Sequence, residues 1–369
     1  MLLNDPILLT LACFTCGLLL GVVLHRGEFC MAGIFRDIFL LNDFTMLRPL
    51  LLAVLSTMLL FALAGFTGLV PPGPPPSLPD GVTLMAGAGG ILFGLGMVLS
   101  GGCVVGTLYK MGAGSLSSFI AFWGIVAGSL LYAHLHPSFL ALAQSMEFCG
   151  PTTLTQLWPK LAPFIVWLLP LLFFPFFKHW LKQGKLSFTD HAVGYIQPWI
   201  TALALAFIQT IYYIVTTTPL GISTAYAKIS FLLASPLAPE HVSGLSYFNR
   251  PSLLINTENG PLSGGPGPGF GLIFQSEMGL LAGIVAGSML SAIALKEFAF
   301  HGWPPFRQGV GALLGGVLMA LGARVASGCN VKFVLGGLPL LSLQAMLFVG
   351  GMLAGAAMGT WALTRLIIR

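Results

Sequence analysis

The sequence predicts an all-α polytopic membrane protein with about nine transmembrane helices and short re-entrant half-helices, arranged as an inverted internal repeat of four, one and four spans. Three observations lead to this fold class. Of the 369 residues, 56% are hydrophobic and 7% are charged, whereas about a quarter of the residues in soluble domains are charged. Apolar runs of helical length recur along the chain, which favours helices over a β-barrel. A glycine-rich stretch that ends in cysteine occurs twice.

Nine segments are apolar over roughly the 20 residues that a helix needs to cross a bilayer. No basic region or small-residue cleavage site precedes the first segment, so we expect it to be retained and not removed as a signal peptide. A stretch rich in Gly, Pro, Ser and Asn, residues 230–268, is predicted to be the longest loop, either a lid or a surface excursion. The predicted spans are residues 7–24, 47–70, 82–100, 115–134, 161–181, 197–217, 269–293, 308–326 and 342–365.

Lysine and arginine residues set the predicted orientation, because the cytoplasmic loops of a membrane protein collect them. With the N-terminus outside, 11 of the 16 Lys and Arg residues fall on the inner side and 5 fall on the outer side. We therefore expect a protein of the inner (plasma) membrane, with its N-terminus outside and its C-terminus inside the cell.

The two glycine-rich stretches match at a constant offset, which indicates an internal repeat. The third span runs inward to Cys103, whereas the eighth runs outward to Cys329, so the repeat is expected to be inverted. The segments after these cysteines are too short to span and are predicted to be re-entrant half-helices, which need a protein or polar surrounding. The matched pairs are Gly89/Gly315, Gly90/Gly316, Leu92/Leu318, Leu95/Leu321, Gly96/Gly322, Gly102/Gly328, Cys103/Cys329 and Val105/Val331.

The repeat divides the chain into a first half at residues 1–160, a linking span at 161–196 and a second half at 197–369. The first half has a further break, at Cys30. The matching place in the second half, residues 218–228, carries hydroxyl groups in place of a thiol. Inverted repeats place their shared site near the bilayer midplane, where the broken helices meet.

Three cysteines, Cys30, Cys103 and Cys329, follow a span and lie in a glycine-containing break. A single buried cysteine is usually a small hydrophobe, but three at equivalent junctions indicate a substrate path. Cys13 and Cys16 share one face of the first span; we favour inert packing, and the alternative is a redox Cys-x-x-Cys pair of a membrane thiol–disulfide oxidoreductase. Cys149 stands alone in an outer loop and is interpreted as inert.

Charged residues inside apolar spans mark functional sites, because they are costly there. Arg324 lies within the eighth span and Lys332 follows Cys329 by three residues. Both favour an anion path, since half-helix N-termini already attract anions. Glu277 in the seventh span has no obvious partner. The predicted path residues are Cys30, Cys103, Cys329, Gly102, Gly328, Lys332, Arg324, Ser223 and Thr224.

Other classes of function have no support in the sequence. The histidines are scattered without the spacing of a zinc, haem or iron–sulphur site. No Walker P-loop is present, so ATP hydrolysis by this chain is not expected. The net charge of +5 is small and forms no basic patch, so it does not indicate nucleic acid. We expect neither a catalytic residue nor a cofactor.

Three motifs resemble signatures of the YeeE/YedE sulphur-transport family: SGGCVVGTL at residues 100–108, SGCNV at 327–331 and TPLGISTAY at 218–226. The resemblance covers nearly the whole chain and implies a transporter that takes up thiosulfate. It also implies that Cys30, Cys103 and Cys329 relay the ion through hydrogen bonds to its terminal sulphur. The family includes members tied to sulfite or selenium compounds, so these stay alternative substrates. A small cytosolic sulphur-carrier protein that receives the ion is a further candidate partner.

One feature departs from the family pattern: Lys332 stands where a small residue is expected, with no glycine until Gly336. A cation beside the path should tighten anion binding. Independently of the resemblance, thiols suit a sulphur oxyanion, because a weak S–H donor can hold a soft sulphur atom without trapping a dianion. Conduction needs binding that is firm enough to admit the ion and loose enough to release it.

Overall fold

Long helices dominate the computed structural model, which describes residues 6–71, 73, 75, 77–78, 81–148, 152–160, 162–187, 193–250, 253–257, 260–269, 271–300 and 302–367. Two two-stranded antiparallel sheets, β1–β2 and the hairpin β3–β4, contain the strands in this part of the chain. In chain order the elements are α1 (Pro6–Arg26), α2 (Met31–Leu41), α3 (Leu47–Phe66), β1 (Val82–Thr83), α4 (Met85–Ser100), α5 (Val104–Gly112), α6 (Leu116–Ser145), β2 (Glu147–Phe148), α7 (Leu154–Leu157), α8 (Ala162–Lys182), α9 (Pro198–Thr216), α10 (Ser223–Ala234), α11 (Pro239–Gly244), β3 (Leu253–Thr257), β4 (Gly260–Gly264), α12 (Leu272–Ala294), α13 (Phe306–Val325), a π-helical segment (Val331–Gly337), α14 (Leu343–Ala362) and a second π-helical segment (Leu363–Ile367).

The prediction of an all-α polytopic membrane protein is confirmed: within the described ranges, nine helical stretches are long and apolar enough to cross a membrane. Each contains or overlaps one of the nine predicted spans. One boundary differs, because α6 continues through Pro137 to Ser145 instead of ending near residue 134. A proline removes one backbone hydrogen bond, and membrane helices tolerate this where their neighbours make good the freed group.

The sequence predicted one long loop over residues 230–268, but the structure does not have a continuous loop there. It holds the end of α10, the short helix α11 and the hairpin β3–β4. Pro239 begins α11 at the first helical position, where its missing N–H costs nothing. The local Gly and Pro content suggested a loop, whereas the hairpin depends on pairing between its two strands.

Close contacts between glycine-rich faces join the long helices. The most extensive are those of α1 with α12, α4 with α14, and α13 with both α4 and α6. Between α4 and α13, a Cβ atom at Gly89 would lie 2.7 Å from the Gly322 carbonyl oxygen, and one at Gly96 would lie 2.6 Å from that of Gly315. Only glycine permits these approaches, so small residues determine the packing here, as is common in membrane bundles.

Helix α8 lies at the periphery of the bundle. It packs against α3 and α7, and Phe164 and Leu171 are 71% and 68% exposed. An exposed apolar face of this length suits contact with lipid. The span that is central in the sequence is therefore not central in space, and the largest buried core cluster includes residues of the breaks that follow α1, α4, α9 and α13.

Candidate functional site

Each of the four breaks begins where a long helix ends in a residue of left-handed conformation. These residues are Glu28 (φ 47°), Gly101 (φ 70°), Thr217 (φ 54°) and Ser327 (φ 63°). A left-handed residue is a common helix terminator, because it turns the chain away from the helix axis. Glu28, Gly101 and Ser327 each lie two residues before a cysteine. The same left-handed turn therefore positions all three thiols.

The three thiols lie among the first amides of the helical segment that follows each of them. Cys30 is the N-cap residue of α2, and its thiol lies near the Ala32 and Gly33 amides without a geometric capping hydrogen bond. Cys103 is the N-cap residue of α5 and accepts the Gly106 N–H at 3.3 Å. The Cys329 thiol accepts from the amides of the second and third residues after it. The positive ends of the helix dipoles thus meet at the thiols.

The thiols form a row with Cys103 in the middle. Cys103 interacts electrostatically with both Cys30 and Cys329, and its backbone N–H donates to the Cys30 thiol. A Cβ atom placed on Gly106 would lie 3.3 Å from each of the Cys30 and Cys103 sulphur atoms. Both sulphurs therefore border one small space, which the absence of a side chain at Gly106 leaves open.

Three buried polar side chains surround the row, and the sequence analysis did not identify them. The Tyr109 hydroxyl is hydrogen-bonded to the Cys30 thiol. Tyr226, fully buried, donates to the Val104 carbonyl at 3.2 Å. Asn330 is hydrogen-bonded to the Cys103 thiol and donates to the Met31 sulphur at 2.9 Å. The one sequence signal for Asn330 was its place directly after Cys329.

A polar cavity of about 480 Å³, here called the Cys30 cavity, begins at the Cys30 end of the row. Its wall residues are His25, Glu28, Cys30, Gly33, Ile34, Arg36, Asp37, Met46, Tyr109, Lys110, Ala113, Ser115 and Tyr195. Beside Cys103 lies a small apolar cavity of about 20 Å³, room for about one water molecule. The space at the Cys30 end of the row is thus much larger than the space beside Cys103.

Charged and polar groups line the Cys30 cavity. Lys110 donates to the Gly101 carbonyl at 2.6 Å. Arg36 and Asp37 form an ion pair at 2.8 Å. On the adjoining loop, burial and then the hydrogen bond to Glu297 raise the pKa of Tyr195 to about 12, so its hydroxyl stays a neutral donor at physiological pH.

Two cations lie at the Cys329 end of the row. The Lys332 ammonium donates to the carbonyl oxygens of Ser77 at 2.6 Å and Ser327 at 3.1 Å. It also interacts electrostatically with Cys329. The Arg324 guanidinium donates to the Tyr247 hydroxyl at 2.9 Å. Its second amino group is buried, with no hydrogen-bond partner among the residues that the structure describes.

The fourth break places Ser223 and Thr224 in the first turn of α10. Its connection to the row is the backbone N–H of Ile222, which donates to the Cys329 thiol. The buried Glu277 of α12 accepts the Ala225 N–H at 2.7 Å and is hydrogen-bonded to Thr224. Sequence reasoning missed this partner of Glu277, because α10 and α12 are far apart in the chain.

Gly102 and Gly328 stand directly before two of the thiols. A Cβ atom on Gly328 would lie 2.8 Å from the Phe333 ring and 3.0 Å from the Lys332 side chain. At Gly102 the nearest atom would be the Thr107 nitrogen at 3.3 Å. Gly328 is thus the tighter of the two positions.

The other cysteines lie apart from the row or outside the described residues. Cys13 and Cys16 are buried along α1 and interact electrostatically with Tyr212. Cys149 falls outside the described residues. The structure therefore brings together Cys30, Cys103 and Cys329 and leaves the Cys13/Cys16 pair within one long helix.

Known proteins resemble this chain along most of its length. A model of a sulphur transport family matches residues 26–358. The thiosulfate transporter TsuA of Escherichia coli (strain K12) is 28% identical over 377 residues, which cover 94% of this chain and 92% of that protein. The thiosulfate transporter TsuA of Spirochaeta thermophila is 29% identical over 342 residues, with 90% and 92% covered. A probable transporter, YedE of Salmonella typhimurium, is 30% identical over 132 residues, with 34% and 30% covered.

Proposed function

Because the chain belongs to the sulphur transport family, we propose that it takes up thiosulfate through a relay of the thiols of Cys30, Cys103 and Cys329. The chain is a multi-pass membrane transporter and not an enzyme, since the family and its relatives are transporters. The observation that carries the relay is the row of thiols, each lying among helix N-terminal amides, with a polar cavity at one end and two cations at the other.

The chemistry of the row suits a soft dianion. Amides at helix N-termini attract negative charge without a fixed counter-charge. Thiols are weak donors that can contact a terminal sulphur and release it again. Three adjacent sites of modest strength let the ion pass from one to the next. The path extends from Arg324, Lys332, Ser223 and Thr224 past Gly328 and Cys329, then past Gly102 and Cys103 to Cys30 and its cavity.

We further propose that the two halves, residues 1–160 and 197–369, form an inverted repeat joined by the linking span at 161–196. The crossing of α4 and α13 supports it. Gly89 approaches Gly322, and Gly96 approaches Gly315. Since Gly315 and Gly322 match Gly89 and Gly96 in the repeat, each helix meets its counterpart with the pairs exchanged, as a two-fold axis requires. The short helices after the thiols are then re-entrant half-helices that line the path.

The proposed orientation places the N-terminus outside and the C-terminus inside the cell, in the inner membrane. Lys332 and Arg324 then lie at the outer entrance, and the Cys30 cavity opens to the cytoplasm. The distribution of Lys and Arg supports this direction. A reporter that is active only in the cytoplasm should give signal when fused after residue 369 and none when fused after residue 80. The reverse pattern would overturn the orientation.

A small cytosolic sulphur-carrier protein is the partner that we propose on the inner side. Arg36 and Lys110 line the Cys30 cavity and also a neighbouring cavity of about 650 Å³ that includes Arg307. A cationic opening favours encounter with an acidic surface. The carrier would take the ion as it leaves Cys30.

Uptake in a sulphur auxotroph tests the proposed function. Cells that lack other importers should grow on thiosulfate when they produce this protein, and labelled thiosulfate should accumulate in them. Labelled sulfite, selenium oxyanions and sulfate serve as alternative substrates in the same assay. Accumulation of sulfite or a selenium oxyanion in place of thiosulfate would identify that ion as the substrate. If none of these ions accumulates, the proposed transport function is wrong.

A further inference from the structure

The short helix α10 differs from the other short segments in the group that caps its first turn. Its N-cap residue, Ile222, has a side chain that cannot accept a hydrogen bond. The carboxylate of Glu277, from α12, instead accepts the Ala225 N–H at 2.7 Å and bonds to Thr224. At the other three breaks a cysteine thiol takes the corresponding place. The carboxyl group of Glu277 therefore stands where the other breaks offer a thiol.

This carboxylate and the thiol of Cys329 share one helix end. The Ile222 N–H donates to Cys329, and the Ala225 N–H donates to Glu277. Both amides lie at the N-terminal end of α10, whose free N–H groups attract negative charge. An anion that reaches Cys329 therefore meets amides that a carboxylate already holds. Like charges repel, so the anion and Glu277 compete for this helix end.

Nearby groups prevent the carboxylate from simply blocking the entrance. Arg324 and Lys332 both lie within electrostatic range of Glu277, and Tyr212 also interacts with it. Arg324 has a buried amino group without a hydrogen-bond partner among the described residues. Two cationic side chains thus lie within electrostatic range of one buried carboxyl group. An incoming dianion can draw on both cations once it has displaced the carboxylate.

We propose that Glu277 is a specificity-determining residue of the transport path: its carboxylate holds the first turn of α10 and yields it to an anion that also gains a contact with the Cys329 thiol. This inference rests on the proposed function. The terminal sulphur of thiosulfate is weakly hydrated, so exchanging water for a thiol costs little. Sulfate presents only strongly hydrated oxygens, and a weak S–H donor compensates their loss of water poorly. Thiosulfate displaces the carboxylate, whereas sulfate does not.

Glu277→Gln tests this role, because the amide oxygen can still accept the Ala225 N–H while the negative charge is gone. Uptake of labelled thiosulfate is measured against increasing unlabelled sulfate. We expect the sulfate concentration for half-inhibition to fall roughly two- to fivefold, the change that one charge at a helix end typically produces. The half-saturation concentration for thiosulfate should fall as well. Glu240→Gln, an exposed glutamate of α11, is the matched control and should behave like the wild type.

The arms of the experiment separate the two proposals. A wild-type protein that takes up no thiosulfate overturns the proposed function, whatever the variants do. With wild-type uptake present, a Glu277→Gln protein of normal abundance and unchanged sulfate inhibition overturns the role of Glu277 and leaves it a structural cap. If Glu277→Gln does not reach the membrane, Glu277→Asp replaces it in the experiment. The shorter aspartate side chain keeps the carboxyl group but places it farther from the Ala225 N–H. Stronger sulfate inhibition in that variant supports the proposal, and unchanged inhibition overturns it.

Discussion

The breaks at Cys103 and Cys329 share a backbone plan but differ in their surroundings. In both, a left-handed residue lies two positions before the cysteine: Gly101 with φ 70° and Ser327 with φ 63°. In both, a lysine ammonium donates to the carbonyl of that residue, Lys110 at 2.6 Å and Lys332 at 3.1 Å. The shared plan agrees with the proposed repeat, because Gly101 and Ser327 stand at its constant offset.

The two breaks differ in the segment after the cysteine. After Cys103 the chain forms the regular helix α5, and its lysine comes seven residues later and lines the Cys30 cavity. After Cys329 the chain forms a π-helical segment, and its lysine comes three residues later and is also bound to the Ser77 carbonyl. Lysines from different positions thus stabilise the same kind of turn. The π-helical segment is a second difference, and such segments are frequent at functional sites. The breaks at Cys103 and Cys329 should therefore respond differently to mutation.

The largest effect is expected where the breaks are alike, at the thiols. Cys103→Ser and Cys329→Ser should each reduce thiosulfate uptake by more than about tenfold, because a hydroxyl lacks the soft sulphur contact. Membrane abundance should be unchanged, since serine is nearly isosteric. Labelled uptake normalised to abundance is the measurement. Cys13→Ser and Cys16→Ser are the controls; lost uptake in the controls, or normal uptake in both break variants, would contradict the relay.

A second variant fills the space that the first two thiols share. Gly106→Ala places a methyl group 3.3 Å from the sulphurs of Cys30 and Cys103, closer than ordinary contact. We expect about a tenfold loss of uptake, because the ion must occupy this space between the two thiols. Gly350→Ala, on α14, is the control, since a Cβ atom there would meet nothing within 4 Å and the position lies outside the row and the Cys30 cavity. Equal uptake by both variants would place the path elsewhere.

From the sequence we predicted the long helices and selected the three break cysteines as path residues. We did not identify the groups that surround their thiols. Hydropathy is a local signal, so nine spans could be read directly, and the repeat linked Cys103 to Cys329. The contacts of Tyr109 and Asn330 with the thiols, and the cap that Glu277 provides, arise between elements distant in the chain. No local pattern encodes such contacts. Lys332 was predicted beside the path, but not its two carbonyl partners.

Substitution of the two lysines is expected to have a smaller effect on thiosulfate uptake and to distinguish the two breaks. Lys332→Met removes a charge that interacts with Cys329 at the proposed entrance. Because desolvation offsets much of the Coulomb attraction, we expect a net loss of about 1 kcal/mol, or a few-fold rise in the half-saturation concentration for thiosulfate. Lys110→Met, at the proposed exit, should lower the maximal rate and leave half-saturation unchanged. Uptake curves that respond in the same way to both variants would refute this assignment of the two ends.

The smallest effect concerns the left-handed residues themselves. Ser327 adopts a φ of 63°, which is strained for a residue with a Cβ atom, whereas Gly101 adopts its φ freely. Ser327→Gly should therefore leave the unfolding free energy unchanged or raise it by up to about 1 kcal/mol, and Gly101→Ala should lower it by about 1 kcal/mol. A Cβ atom at Gly101 meets nothing within 4 Å, so that variant isolates the backbone effect from any clash. Thermal unfolding of the purified protein in detergent measures both changes. Uptake should stay normal in Ser327→Gly, because the carbonyl that accepts from Lys332 belongs to the backbone and is retained; a large loss of uptake would mean that the Ser327 hydroxyl contacts the ion.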